Sequence, residues 1–263
     1  MIELFNDPIA LLLVAGGAFL AGGMNALAGG GTFFSFPALL AAGVPPVTAN
    51  ASNTVALWPA SLSSAWVYRK ELTRHSDWVV ALTMVAAIGG ILGGLLLLAI
   101  SNKAFTALIP WLLLVATALF AFSKQISRLV VRTKARFGIH QTDDQPHSKA
   151  GLFFLFLVNV YGGFFGAGQG ILTLAALAIQ GIDDIQEINA LKNWISAVTY
   201  TVSAITFIIA GAIDWPYTLL MVLTATLGGI VGAHIARYLP ALWLKRLVIG
   251  VGSVMTVIYF FKT

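Results

Sequence analysis

Apolar stretches of bilayer length alternate with brief polar connections along nearly the whole chain. The pattern predicts helical segments at 8–27, 32–42, 47–68, 78–100 and 108–123, then at 151–167, 171–179, 187–210, 216–239 and 241–261. About 20 apolar residues match the thickness of a hydrocarbon core, and most of these runs approach that length. Two do not. The run at 32–42 follows Ala28, Gly29, Gly30 and Gly31, and the run at 171–179 follows Gly168, Gln169 and Gly170. Glycine clusters make poor helix, so each short run is expected to be a half-helix after a break. The polar residues sit mainly in a basic loop at 69–77 and a long linker at 124–149.

The order of elements recurs on either side of that linker. Gly31 and Gly170 lie 139 positions apart, and the same shift places Asn50 and Ala51 on Asn189 and Ala190. It also places Gly89, Gly90, Ile91 and Gly93 on Gly228, Gly229, Ile230 and Gly232. The expectation is one transmembrane domain over 1–263, with repeat one at 8–123, a cytoplasmic basic linker at 124–149 and repeat two at 150–262. Counting each short run as a crossing gives each half an odd number of passes, so the second half is expected to lie inverted; if the short runs are re-entrant instead, the halves become parallel and Arg237, Lys245 and Arg246 face outward, against the positive-inside bias. The loop charges agree: Arg69, Lys70 and Arg74 mark one loop, whereas the counterpart around Asp214 has no Lys or Arg. Cytoplasmic loops favour Lys and Arg.

Composition sharpens the class. Hydrophobic residues make up 59% of the chain and charged residues 10%, with a mean hydropathy of +0.90; a soluble domain could not bury that much apolar surface. The fold class is therefore an all-α polytopic membrane protein of two homologous halves, each with a glycine-broken helix. The formal net charge of +5 resides largely in the two basic stretches and reads as orientation rather than nucleic-acid binding. With no cysteine, disulfides and thiolate chemistry are excluded. Met1 to Asp7 lacks the basic start of a signal peptide, so the first apolar run is expected to remain in the protein.

Two interrupted helices at matching places point to a transporter's binding site. A break strands backbone N–H and C=O groups, tolerable in lipid only beside protein, water or ligand. The half-helix N-termini are expected to face an anion, which assigns Gly30, Gly31, Thr32, Gly168, Gln169 and Gly170 to substrate binding. The following segment of each half opens with polar residues: Asn50, Ser52, Asn53 and Thr54 in one, and Asn189, Lys192 and Asn193 in the other. Spacings of three or four put these on one helical face. Asn50, Asn53, Asn189, Lys192 and Asn193 complete the candidate site, with Thr173 as further lining. The alternatives stay open: the asparagines could serve only as interhelical glue, Lys192 could snorkel, and the glycines could only permit close packing. For Gly89, Gly90, Gly93, Gly94, Gly228, Gly229 and Gly232 packing is the preferred reading. His234 reads as interfacial, as do most tryptophans, with Trp58 and Trp194 deeper. Asp183 and Asp184 form a turn-like pair, and no carboxylate lies deep within a span.

The stretch AGGGTFFSFPALLAA from Ala28, followed by GVPPVTANASNT, and the stretch GGFFGAGQG from Gly162 with NALKN at Asn189 to Asn193, resemble the TauE/SafE family of sulfite and organosulfur anion exporters. Thr32 stands where a fourth glycine is common in that family, and Ser52 departs from its usual ATN. The resemblance implies a multi-pass protein of the bacterial inner membrane, exporting small anions such as sulfite or sulfonates, with lipids as its other partners and no cofactor or metal. Alternating access around the broken helices is expected, driven by membrane potential. An anion channel and an ion-coupled symporter or importer are the rivals, and a homodimer is compatible with the sequence. An enzyme is not expected, since neither a serine–histidine pair nor clustered acids appear.

Overall fold

A computed structural model describes residues 7–27, 30–67, 69–72, 76–126, 129, 149–180, 185–235 and 241–262. Most of the basic linker, together with Asp183, Asp184 and the side chain of His234, lies outside the described residues. The chain is an all-α membrane protein. Its principal helices are α1 (Pro8–Leu27), α2 (Thr32–Ala41), α3 (Pro46–Val67), α4 (Arg69–Leu72), α5 (Ser76–Ala99) and α6 (Asn102–Ala121). After the linker come α7 (Lys149–Phe164), α8 (Gln169–Ile179), α9 (Ile185–Ile209), α10 (Trp215–Ile235) and α11 (Ala241–Lys262). Windows in α1, α5 and α6 are long and apolar enough to cross a membrane, and shorter apolar helices occur in α2, α7, α10 and α11.

Local chemistry explains several boundaries. Asp7 Oδ1 accepts from the Ile9 and Ala10 amides at 3.0 and 3.1 Å, a side-chain cap that starts α1 before its proline-led first turn. Helix α6 begins at Asn102, six residues earlier than the hydropathy pattern suggests, because Ser101 caps it by accepting from the Ala104 amide at 3.2 Å. Asn102 Oδ1 in turn accepts from the Val47 amide at 3.0 Å, so the start of α6 also caps α3. Pro37, Pro59 and Pro110 lie inside continuous helices.

The two short helices each double back on the helix before them. Helix α2 folds back along α1: a Cβ on Gly17 would lie 2.7 Å from the Ala38 Cβ, and one on Gly31 would lie 2.4 Å from the Ala21 carbonyl oxygen. Helix α8 folds back along α7 in the same way, with Gly151 against Gln180 and Gly162 against Gln169. Each half therefore opens with a helical hairpin and continues through three long helices.

Packing between the halves is reciprocal. Helix α1 packs on α10 as α7 packs on α5, α3 on α10 as α9 on α5, and α3 meets α9 as α6 meets α11. At the first seam, a Gly22 Cβ would meet the Ala225 carbonyl oxygen and a Gly228 Cβ that of Phe19; at the second, a Gly163 Cβ would meet the Gly90 carbonyl oxygen and a Gly93 Cβ that of Val160. The contacts match one for one, pairing Gly228 with Gly93 rather than with Gly89. All four Cβ atoms would come within 2.4 Å of backbone. These glycines let helix backbones touch.

Helices α3 and α9 run antiparallel. Trp58 Nε1 donates to Thr201 Oγ1 at 2.9 Å. Ser52, near the start of α3, accepts from the Asp214 amide just beyond α9 at 2.9 Å. Leu72, beyond the other end of α3, packs on a cluster containing Ile188 and Leu191 at the start of α9. Outside this centre the surface is apolar: Val80, Met84, Ile88, Leu92 and Leu95 form an exposed stripe on α5, and Leu219, Leu223, Leu227 and Ile230 another on α10. Such stripes suit a lipid solvent.

Candidate functional site

The first break is closed by side chains from three elements. Gly30 takes φ +90°, a left-handed conformation that favours glycine, and thereby turns the chain into α2. The Gly31 amide donates to Asn25 Oδ1 at 2.9 Å, while the Phe33 and Phe34 amides donate to the Gly30 and Gly31 carbonyls. The Thr32 amide is not used by any of these caps. From α3, Asn53 Nδ2 donates to Thr32 Oγ1 at 3.4 Å, and its Oδ1 accepts from the Ser35 hydroxyl. Thr32, Ser35 and Asn53 are all buried.

The second break runs from Phe165 to Gly168, with Gly166 and Gly168 at φ +80° and +79°. Helix α8 starts at Gln169, two residues before Ile171, so Gln169 belongs to the half-helix and not to the break. Tyr161 donates through its hydroxyl to the Ala167 carbonyl at 2.6 Å, bracing the turn. Gln169 Nε2 donates to Asn159 Oδ1 at 3.2 Å, and Thr199 Oγ1 lies 2.7 Å from the same oxygen. Thr173 donates to the Gln169 carbonyl. The Gly170 amide is likewise not part of the caps formed by the Gln169, Ile171 and Leu172 amides.

The two breaks meet inside the molecule. Asn50, on α3 in the first half, donates through Nδ2 to the Phe164 carbonyl at 2.8 Å, at the edge of the second break. Phe36 of α2 packs edge-on against Phe165, with ring centroids 5.5 Å apart. Tyr200 of α9 lies beside the Thr32 side chain, and its hydroxyl would lie 3.5 Å from a Cβ on Gly166. Helix α6 covers both turns, with Phe120 beside Gly30 and Ala116 and Leu119 beside Gly168. On one side the breaks are sealed by aromatic rings, since Phe105 also packs on Phe36 and Phe164.

The Lys192 side chain runs beside the start of α8, its Cδ 3.8 Å from where a Gly170 Cβ would stand. Asn53 occupies the corresponding place beside α2, so the 139-residue shift holds in these helices. Asn189, Lys192 and Asn193 are half-buried. Among the described residues, no carboxylate is in ion-pair distance of Lys192, and no three His, Cys, Asp or Glu side chains group as metal ligands.

Other candidates take structural roles. Ser52 caps α10 through Asp214, Thr54 donates to the Asn50 carbonyl, and Trp194 Nε1 donates to Thr83 Oγ1 at 2.7 Å. Sequence reasoning passed over Asn25, Ser35, Asn159, Tyr161, Thr199 and Tyr200. Asn159 carried a signal, as the single amide within the apolar run at 151–167. An open groove of about 570 Å3 between α5 and α7, lined by Leu96, Ile100, Leu157, Val160, Tyr161 and Phe164 among others, is mostly apolar.

The family model described as "Sulfite exporter TauE/SafE" matches residues 14–259. The chain is 27% identical over 257 residues to a "Probable membrane transporter protein" of Haemophilus influenzae, covering 95% of this chain and 93% of that one. It is 25% identical to "Probable membrane transporter protein ORF9" of a Sinorhizobium species, over 98% of this chain and 94% of the relative. Identity to "Probable membrane transporter protein YfcA" of Escherichia coli is 24%, over 97% and 93% of the two chains. No solved structure matches.

Proposed function

Since the chain belongs to the sulfite exporter TauE/SafE family, a family of membrane transporters, we propose that it carries a small anion between the N-termini of α2 and α8. The observation that carries this is the meeting of the two breaks, where Asn50 reaches the Phe164 carbonyl and Phe36 packs on Phe165. Two half-helices aim their positive ends toward one place, and Asn53 and Lys192 flank it. Sulfite, sulfonates and related oxyanions fit a site of backbone amides, carboxamides and one ammonium group.

The antiparallel course of α3 and α9, which occupy equivalent places in the two halves, supports an inverted repeat. With the basic stretches in the cytoplasm of a bacterial inner membrane, the Phe36, Phe105, Phe164 and Phe165 rings close the outer side. The polar face of Asn189, Lys192 and Asn193 then opens inward. Rocking of the unit formed by α1, α2 and α10 against the unit formed by α7, α8 and α5 exchanges these two conditions, as bundles do in other transporters built from inverted repeats.

No acid is needed to drive export. With the cytoplasm negative, outward movement of each negative charge is favoured by about 2.3 kcal/mol per 100 mV. The test is flux of sulfite, thiosulfate, short sulfonates and short carboxylates from proteoliposomes under imposed potentials. Saturable flux of at least one anion, growing with potential of the correct sign, is expected. Flux indifferent to potential would refute the driving force, and unitary currents would replace the carrier with a channel.

A further inference from the structure

Three oxygen-bearing side chains converge where α7, α8 and α9 meet. Asn159 Nδ2 donates to the Leu155 carbonyl at 2.7 Å, which fixes the Asn159 amide and turns Oδ1 toward Gln169 and Thr199. The Gln169 amide must then present Nε2 to that oxygen. As a result Gln169 Oε1 is buried without a hydrogen-bond donor among the described residues, in a side chain only 2% exposed. Thr199 has the complementary difficulty. Its hydroxyl lies 2.7 Å from Asn159 Oδ1 and 2.9 Å from the Ile195 carbonyl, yet it has one proton to donate. When that proton goes to Ile195, two oxygen lone pairs face each other.

Buried acceptors without donors call for a donor or a cation. We propose that Asn159 Oδ1, Thr199 Oγ1 and Gln169 Oε1 form a site for a sodium ion at the second helix break. In the ion-free state the Gln169 NH2 group stands in for the ion; on binding, the Gln169 amide turns over and its oxygen joins the other two. The ligand set is neutral, which suits a single positive charge, whereas calcium and magnesium sites draw on carboxylates. The close spacing of the oxygens favours sodium over the larger potassium ion. Unwound backbone beside a broken helix is where coupling ions are held in other transporters, and the C-terminal end of α7 contributes its negative dipole end.

Thermal unfolding of the purified full-length chain in detergent, titrated with sodium, potassium or choline chloride at constant ionic strength and without anionic substrate, tests the site. Sodium should raise the midpoint saturably and potassium much less. Thr199→Val should weaken the apparent sodium affinity tenfold or more. Gln169→Glu replaces the stand-in NH2 with a charged oxygen and should tighten it tenfold or more, a gain that misfolding cannot imitate. Equal stabilisation by all three salts, or an unchanged sodium affinity in both variants, would overturn the proposal whatever the outcome of anion flux.

Discussion

Removal of the Asn53 amide leaves the Ser35 and Thr32 hydroxyls without their partner in a buried site. Asn53→Ala is therefore expected to destabilise the protein by about 1–3 kcal/mol, measured as a lower thermal midpoint in detergent, and to reduce flux. Trp58→Phe provides the contrast. It deletes the donor to Thr201 but touches neither break, so the expected cost is about 0.6–1.5 kcal/mol with flux retained. The polar patches at Asn50–Asn53 and Asn189–Asn193 were visible in the sequence because amides and a lysine inside apolar runs need an interior partner. Their division of labour was not. Asn50, Ser52, Asn53 and Thr54 fall within five positions of the sequence, yet Asn50 reaches the second break, Ser52 caps another helix and Asn53 joins the first break. Helical rotation and the identity of the neighbouring helix decide among these roles, and neither is written in local spacing.

Glycine sets the distance between elements. Gly22→Ala would place a Cβ 1.8 Å from the Ala225 carbonyl oxygen, and Gly228→Ala one 1.9 Å from that of Phe19. Backbone cannot yield there as a flexible side chain would, so both variants are expected to lose most of the folded protein recovered by size-exclusion chromatography in detergent. Gly16→Ala and Gly250→Ala meet nothing within 4 Å. They should be neutral or stabilising by roughly 0.5–1 kcal/mol, the helix-propensity gain of alanine. Glycine runs located both half-helices, since little else interrupts an apolar segment so sharply. They did not reveal that the half-helices fold back, because a turn and a continued crossing share the same composition. The start of α6 was missed for a related reason: Asn102 and Lys103 look like loop by hydropathy, but the Ser101 cap carries the helix through them.

At the scale of the whole molecule, the reciprocal seams, α1 on α10 and α7 on α5, join the two halves by crossing over, so neither half is a separate packing unit. Duplication could be read from the sequence shift, but the one-for-one seam pairing could not, because loops of different length move the register between helices. The absence of cysteine makes the orientation directly measurable. Single cysteines at Lys124 and at Gly211 should label from opposite faces, Gly211→Cys with an impermeant reagent on intact cells and Lys124→Cys only after permeabilisation. Labelling of both from one side would rule out the inverted arrangement.

The central claim is that an anion passes between the two broken helices, held by Asn53 and Lys192. It is tested most directly by comparing efflux of the best-carried oxyanion from proteoliposomes containing wild type, Lys192→Ala or Asn53→Ala at matched amounts of folded protein. Transport reduced tenfold or more in Lys192→Ala, and clearly reduced in Asn53→Ala, is the predicted result. Rates equal to wild type in both variants would place the anion's path elsewhere in the molecule.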